Sequence, residues 1–196
     1  MFLNKIFEIA HAYTTNILFV ILTGSYAFKI KNNHDIDIMV VVDGKNIYTQ
    51  QSVKNNDGVL VDLFIMSYDS WRQMCPYAYL SLQYAKIYPE NLLYGKLPDE
   101  NAFKTKVGLT EALYKQYKQG LLGPLVSEDK KNGNCLKRMY WGLMIYYTYL
   151  NNGSFNFTQE QLDIIQKCHD RELPISYRDE LKANMEKILK EKGFIN

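Results

Sequence analysis

Three short stretches of this chain carry residues whose types and spacing suit one kind of chemistry. Gly24-Ser25 follows the apolar run Ile17-Leu18-Phe19-Val20-Ile21-Leu22. After nine intervening residues comes Asp35-Ile36-Asp37, which opens a second apolar run through Val42, and Asp62 then interrupts a third, Val59 to Met66. A lone carboxylate is a poor choice inside an apolar strand, because burying an unpaired charge is expensive. Three carboxylates brought together repel one another unless protons or cations compensate them. Hard oxygen ligands suit Mg²⁺ or Mn²⁺, and Mg²⁺ characteristically binds one or two carboxylates together with substrate phosphates. Two such ions, ~3.5–4 Å apart, stabilise both the attacking and the leaving oxygen of an in-line displacement. A glycine before the acids lets the backbone approach a phosphate closely, and the Ser25 hydroxyl with adjacent N–H groups suits its oxygens.

Each part alone is ordinary. A Gly-Ser pair after a strand is usually a turn, an Asp-x-Asp at a strand start is usually a solvated end, and a single Asp suits an exposed edge strand. Their order and setting carry the reading. Side chains alternate across a strand, so Asp35 and Asp37 share one face while Ile36, Ile38 and Val40 point to the other, which is expected to be the core face. In the third run Val61, Leu63 and Ile65 supply the apolar face. If the two acid-bearing strands are neighbours in one sheet, Asp35, Asp37 and Asp62 converge.

At Leu22-Thr23-Gly24-Ser25-Tyr26-Ala27-Phe28, Asp35-Ile36-Asp37-Ile38 and Val61-Asp62-Leu63 the chain resembles the DNA polymerase beta superfamily of nucleotidyltransferases. The resemblance covers roughly residues 15–66 and is specific to the superfamily, not to a substrate. It implies an α+β (α/β) fold, a small mixed sheet with flanking helices followed by a helical region. It implies transfer of NMP from an NTP to a hydroxyl with release of pyrophosphate. Asp35, Asp37 and Asp62 would be the catalytic metal ligands for Mg²⁺ or Mn²⁺, in all two ions, and Gly24 and Ser25 would hold the terminal phosphates.

A second resemblance concerns the C-terminal half. Asn134-Cys135-Leu136-Lys137-Arg138-Met139-Tyr140-Trp141, then an acidic helix and Ser176-Tyr177-Arg178-Asp179-Glu180-Leu181, look like the RNA-ligase-associated (RNA-repair) branch of bacterial and phage nucleotidyltransferases. Relatives in that branch often carry longer inserts than this compact chain. The likeness implies a triphosphate contact from Lys137 or Arg138, and an RNA 3′ end, such as that of tRNA, as first choice of acceptor. A small molecule or a protein hydroxyl follows. The rival from another class is a non-catalytic module of the same fold, an antitoxin or regulator, against which the intact set of acids argues.

The elements that must position these residues follow from periodicity and punctuation. Phe2 to Tyr13 has apolar residues at helical spacing, and strands are expected near 17–23, 35–42 and 58–66, with Asn32-Asn33 and Asn55-Asn56-Asp57-Gly58 as turns. Ser67 to Ser70 starts a helix that ends before Pro76, whereas Tyr77 to Tyr88 suits helix or strand equally. Leu97-Pro98-Asp99-Glu100 punctuates the chain, dividing a catalytic core over 1–98 from a helical region over 99–196 that completes the nucleotide and acceptor site. One helix runs from Phe103 to Leu121, stopped by Gly123-Pro124, and a second from Leu136 to Leu150, with Lys137 and Arg138 on its first turns. Thr158 to Gln161 reads as a capping box, and Ser176 with Asp179 resembles one.

Composition bounds the rest. At 196 residues and 47% apolar content the chain has material for a proper core. No stretch approaches the ~20 apolar residues of a membrane span, and the N-terminus lacks a signal-peptide layout. Cys75, Cys135 and Cys168 show neither zinc spacing nor a disulfide framework, which favours three core thiols and a cytoplasmic location. The net charge of +2 is uneven: −2 over residues 1–100, +5 over 101–140 and −1 over 141–196. The basic middle suits a triphosphate or a few nucleotide phosphates, but is too modest for a long duplex track. Lys29 and Lys31 are read as solvated, His34 as structural or exposed, and Tyr140, Tyr146, Tyr147 and Tyr149 as core or interface more readily than as base-stacking platforms.

Overall fold

The computed structural model describes residues 2–14, 16–31, 35–73, 77–98, 106–118 and 128–196. The chain forms two compact units, Met1–Asp99 and Glu100–Asn196.

In the first unit, helix α1 (Phe2–His11) precedes β1 (Ile17–Thr23), the single-turn helix α2 (Gly24–Ala27) and β2 (Asp35–Val42). The hairpin β3 (Tyr48–Lys54) and β4 (Leu60–Ser67) follows, then α3 (Tyr68–Gln73), α4 (Tyr77–Ile87), a 3₁₀ turn over Pro89–Asn91 and β5 (Leu92–Gly95). The ambiguous segment after Pro76 is thus a helix. The five strands make one mixed sheet in the order β3-β4-β2-β1-β5, with β2 and β4 parallel and the remaining neighbours antiparallel. This is the small mixed sheet with flanking helices that the sequence leads one to expect.

Two of these strands escape sequence reading. β3 (Tyr-Thr-Gln-Gln-Ser-Val-Lys) is polar and sits at the sheet edge, its residues alternating only between exposed and half-buried, so it carries little hydrophobic periodicity. β5 has four residues. The turn between β3 and β4 does form where expected. The Asn55 side-chain oxygen accepts from the backbone N–H groups of Asp57 and Val59, both at 2.9 Å, and Gly58 takes φ +80°.

Burial along β2 corrects the simple picture of one core face and one acidic face. Met39 and Val41 share the face of Asp35 and Asp37, yet they are buried in a cluster with Phe19, Ile21, Met66, Trp71 and Leu82. That face is covered by α3 and α4. On the other face Phe7 of α1 meets Tyr94 edge-on with ring centroids 4.9 Å apart, and Tyr94 is the register partner of Val20. With helices on both sides, Ile38 to Val42 are wholly buried, and only the first three residues of β2 emerge to half-burial. The acids stand where the cover ends.

The second unit is helical in its described residues: α5 (Lys106–Gln116), α6 (Glu128–Leu150), α7 (Gln159–His169) and α8 (Ser176–Glu191). Helix α6 packs on α5, α7 and α8, burying Met139, Leu143, Ile165, Leu181 and Met185 among others. A methyl group at Gly142 would lie 3.3 Å from Leu181 Cδ2, so the glycine permits close packing there. Thr158 and Gln161 form the expected capping box of α7. Ser176 does not cap α8: the cap position is Ile175, in helical conformation, and Ser176 is already the first helical residue. Tyr140 and Tyr147 are buried, which removes both as base-stacking platforms, while Tyr146 and Tyr149 are half-buried. Cys168 is buried and its Sγ donates to the Leu136 carbonyl at 3.3 Å; Cys75 and the Cys135 side chain lie outside the described residues. Among the described residues no helix is long and apolar enough to cross a membrane.

Candidate metal centre

The site is assembled by strand register. Asp37 pairs with Thr23 of β1 on one side and Asp62 of β4 on the other, and Asp62 pairs with Ser52 of β3. Directly opposed residues point to the same face of a sheet, so Thr23, Asp37, Asp62 and Ser52 form one row across four strands. Asp35, two residues before Asp37, joins the same face at the strand entrance. Asp35, Asp37 and Asp62 are half-buried and each offers a carboxylate oxygen, the three atoms lying within 4.8 Å of one another.

This donor set fits a hard divalent cation. Oxygens bound to one such ion at ~2.0–2.6 Å lie no more than ~4–5 Å apart, which matches the spread seen here. All three donors are anionic oxygen, with no soft ligand among them, favouring magnesium- or manganese-like ions over zinc.

The Gly24 turn abuts the acids directly. Gly24 is buried with φ +69°, and a methyl group there would overlap Asp37 Oδ2 and come within 2.9 Å of Asp37 Cγ. Only glycine meets both demands, the left-handed backbone and the missing side chain. The turn then closes through Phe28 N–H to the Gly24 carbonyl at 3.2 Å and Ile30 N–H to the Ser25 carbonyl at 3.1 Å. Ser25 is half-buried on this turn.

Two anchors that sequence reasoning missed hold the turn in place. At its entrance the Thr23 and Ser81 hydroxyls are hydrogen-bonded at 2.6 Å, both buried, tying β1 to α4. At its exit Asn91 Nδ2 donates to the Ala27 carbonyl at 3.1 Å. Neither has a local signature, since the partners are 58 and 64 residues apart in the chain. Ser52 was missed as well, because the polar strand that carries it was not recognised.

The basic candidates are placed differently. Lys29 is engaged by Glu90 at 3.0 Å and lies 5.3 Å from the Tyr88 ring centroid. The hydrogen bond from Lys29 holds the Glu90 carboxyl below its usual range. Helix α6 begins at Glu128, so Lys137 and Arg138 belong to its interior and not to its first turns. Their side chains, like His34 and the Asn32-Asn33 turn, lie outside the described residues.

Fold and site together define a two-unit α+β protein with a carboxylate-lined candidate metal centre at one end of its mixed sheet. No family model matches the chain, and no curated protein matches it in sequence. Among solved structures it is similar to a nucleotidyltransferase-like protein from Exiguobacterium sibiricum 255-15. The identity is 12%, covering 96% of this chain and 73% of that one, with a TM-score of 0.39.

Proposed function

We propose that this chain is a metal-dependent nucleotidyltransferase that moves NMP from an NTP to a hydroxyl acceptor, releasing pyrophosphate. The observation that carries the reading is the convergence of Asp35, Asp37 and Asp62, produced by the parallel pairing of β2 with β4, beside a glycine turn pressed against Asp37. The motif order shared with the DNA polymerase beta superfamily supports it.

Divalent ions bound there would supply Lewis-acid activation of the acceptor hydroxyl and charge stabilisation of the triphosphate. The chain's own part is positioning. Asp35 and Asp37, adjacent on one strand face, would hold an ion accompanying the triphosphate, and with Asp62 they would hold a second. The Gly24-Ser25 turn admits a phosphate close to its backbone, with the Ser25 hydroxyl as donor. Catalysis of this kind rests on orientation and preorganised charge and requires no covalent enzyme intermediate. Lys137 or Arg138 is proposed to contact the triphosphate, and an RNA 3′ end is the first acceptor to test.

The test is incubation with each α-³²P-NTP, Mg²⁺ or Mn²⁺ and total tRNA, beside an Asp35→Ala/Asp37→Ala double variant. Label transferred to RNA by the wild type alone is the expected result and identifies the base. Label on the protein would keep the chemistry and change the acceptor. No transfer with any nucleotide, together with no metal-dependent NTP binding, would overturn the proposal.

A further inference from the structure

The row of residues across the sheet does not stop at the carboxylates. Ser52, on the edge strand β3, is the register partner of Asp62, and its hydroxyl donates to Asp62 Oδ1 at 2.5 Å. That separation is in the range of hydroxyl-to-carboxylate hydrogen bonds, which are shorter and stronger than neutral ones. We infer that Ser52 is a positioning residue for the metal centre, fixing the rotation of the Asp62 carboxylate and engaging one of its oxygens while the other serves the cation. The inference rests on the nucleotidyltransferase reading only in so far as that reading requires a metal at these acids.

The physical need for such a residue is specific to Asp62. Asp35 and Asp37 enter from the same strand, and Asp37 is pressed by the Gly24 turn. Asp62 stands on a different strand, on the side toward the exposed edge. Three carboxylates within 4.8 Å repel, and an unrestrained one would relieve that repulsion by rotating toward solvent. A hydroxyl donor on the edge side opposes this, adding partial positive charge without a competing cation. Because the pair is set by backbone register, the hydroxyl is held by a strand and not by a loop. Partners that orient metal ligands in this way typically account for about 10–100-fold in metal affinity.

Mn²⁺ binding, read by the electron paramagnetic resonance of free Mn²⁺, tests this apart from any turnover. Ser52→Thr keeps the hydroxyl and Ser52→Val removes it with nearly the same shape; both are suited to an exposed strand. Melting curves without metal, together with circular dichroism, establish that the variants fold. The expected result is near-wild-type Mn²⁺ affinity for S52T and a loss of about 10-fold or more for S52V and S52A. Equal affinity for S52T and S52V, while D62A loses binding, would overturn the role of Ser52 and leave the metal centre standing. Absence of Mn²⁺ binding by the wild type itself would overturn both.

Discussion

Gly24 and Asp37 occupy one another's space: the backbone of the turn after β1 runs so close to the Asp37 carboxylate that no side chain fits between them. Thr23, the residue before the glycine, is the register partner of Asp37, so strand pairing imposes the approach. A turn suited to phosphate and a carboxylate suited to metal are thereby held in contact by the sheet. Under the proposed function, this contact would set a bound phosphate beside the metal.

Gly24→Ala is therefore expected to damage the site in two ways. The φ of +69° disfavours any residue with a Cβ, by about 1–2 kcal/mol, and the new methyl group must displace the Asp37 carboxylate. Mn²⁺ affinity should fall at least about 10-fold, the scale of effects seen when a metal ligand loses its orientation. Titration of G24A with Mn²⁺ checks this, and wild-type affinity would show that Asp37 can move without consequence.

The carboxylates are expected to trade stability for function. Asp37→Asn and Asp62→Asn each remove a like charge from a crowded group, so the metal-free variants should melt no lower than the wild type. Saturating Mn²⁺ should raise the melting temperature of the wild type only; at about 100-fold excess over Kd, binding contributes ~2.7 kcal/mol. Nucleotidyl transfer by either variant should fall by about 100-fold or more, a barrier increase of ~2.7 kcal/mol. Calorimetry with and without the metal, beside the labelling assay, tests both halves.

The Thr23–Ser81 hydrogen bond carries a separable expectation. Ser81→Ala leaves the buried Thr23 hydroxyl without its partner, at a cost of about 1–3 kcal/mol. Adding Thr23→Val removes the stranded group, so the double variant should be more stable than the sum of the two single losses. Urea unfolding of the four proteins measures this coupling, and simple additivity would contradict it.

Alkaline pH should weaken the helical unit. Burial and the Glu186 carboxylate, which accepts the Tyr117 hydroxyl hydrogen bond, push Tyr117 up to about 12. Burial together with the Tyr177 hydroxyl raises Tyr147 further in the same direction. An unfolded tyrosine titrates near ~10, so above that pH the unfolded chain binds fewer protons than the folded one. The stability from these neutral phenols is complete below pH ~10 and is lost as pH rises through their folded values. Ultraviolet absorbance of phenolate, followed through an alkaline titration, should show late ionisation that Tyr117→Phe and Tyr147→Phe reduce. Ionisation of all tyrosines in one ordinary step would contradict it.

How much of this was legible beforehand depended on the range of the interaction. Alternation along Asp35-Ile36-Asp37-Ile38 is local, and it was enough to place two carboxylates on one face. The Asn55–Gly58 turn and the Thr158–Gln161 cap were equally readable, because each is closed by side chains acting on their own neighbouring backbone. Helix α6 begins at Glu128, ahead of the start at Asn134 to Leu136 that the sequence suggests, since the residues before Leu136 are polar and show no apolar stripe.

Which strand lies beside which was a different matter. The local pattern of β4 says that Asp62 shares a face with Phe64, but not that its neighbour is Asp37, 25 positions earlier in the numbering. Pairing is chosen by packing of whole faces under α1, α3 and α4, a long-range decision with no signature in any short window. The same holds for Ser52, invisible in a polar edge strand until β3 is laid against β4, and for the Thr23–Ser81 and Asn91–Ala27 anchors. The residue types that suit metal and phosphate are written in the chain; their meeting is made by register, because only a folded sheet brings distant carboxylates against their mutual repulsion.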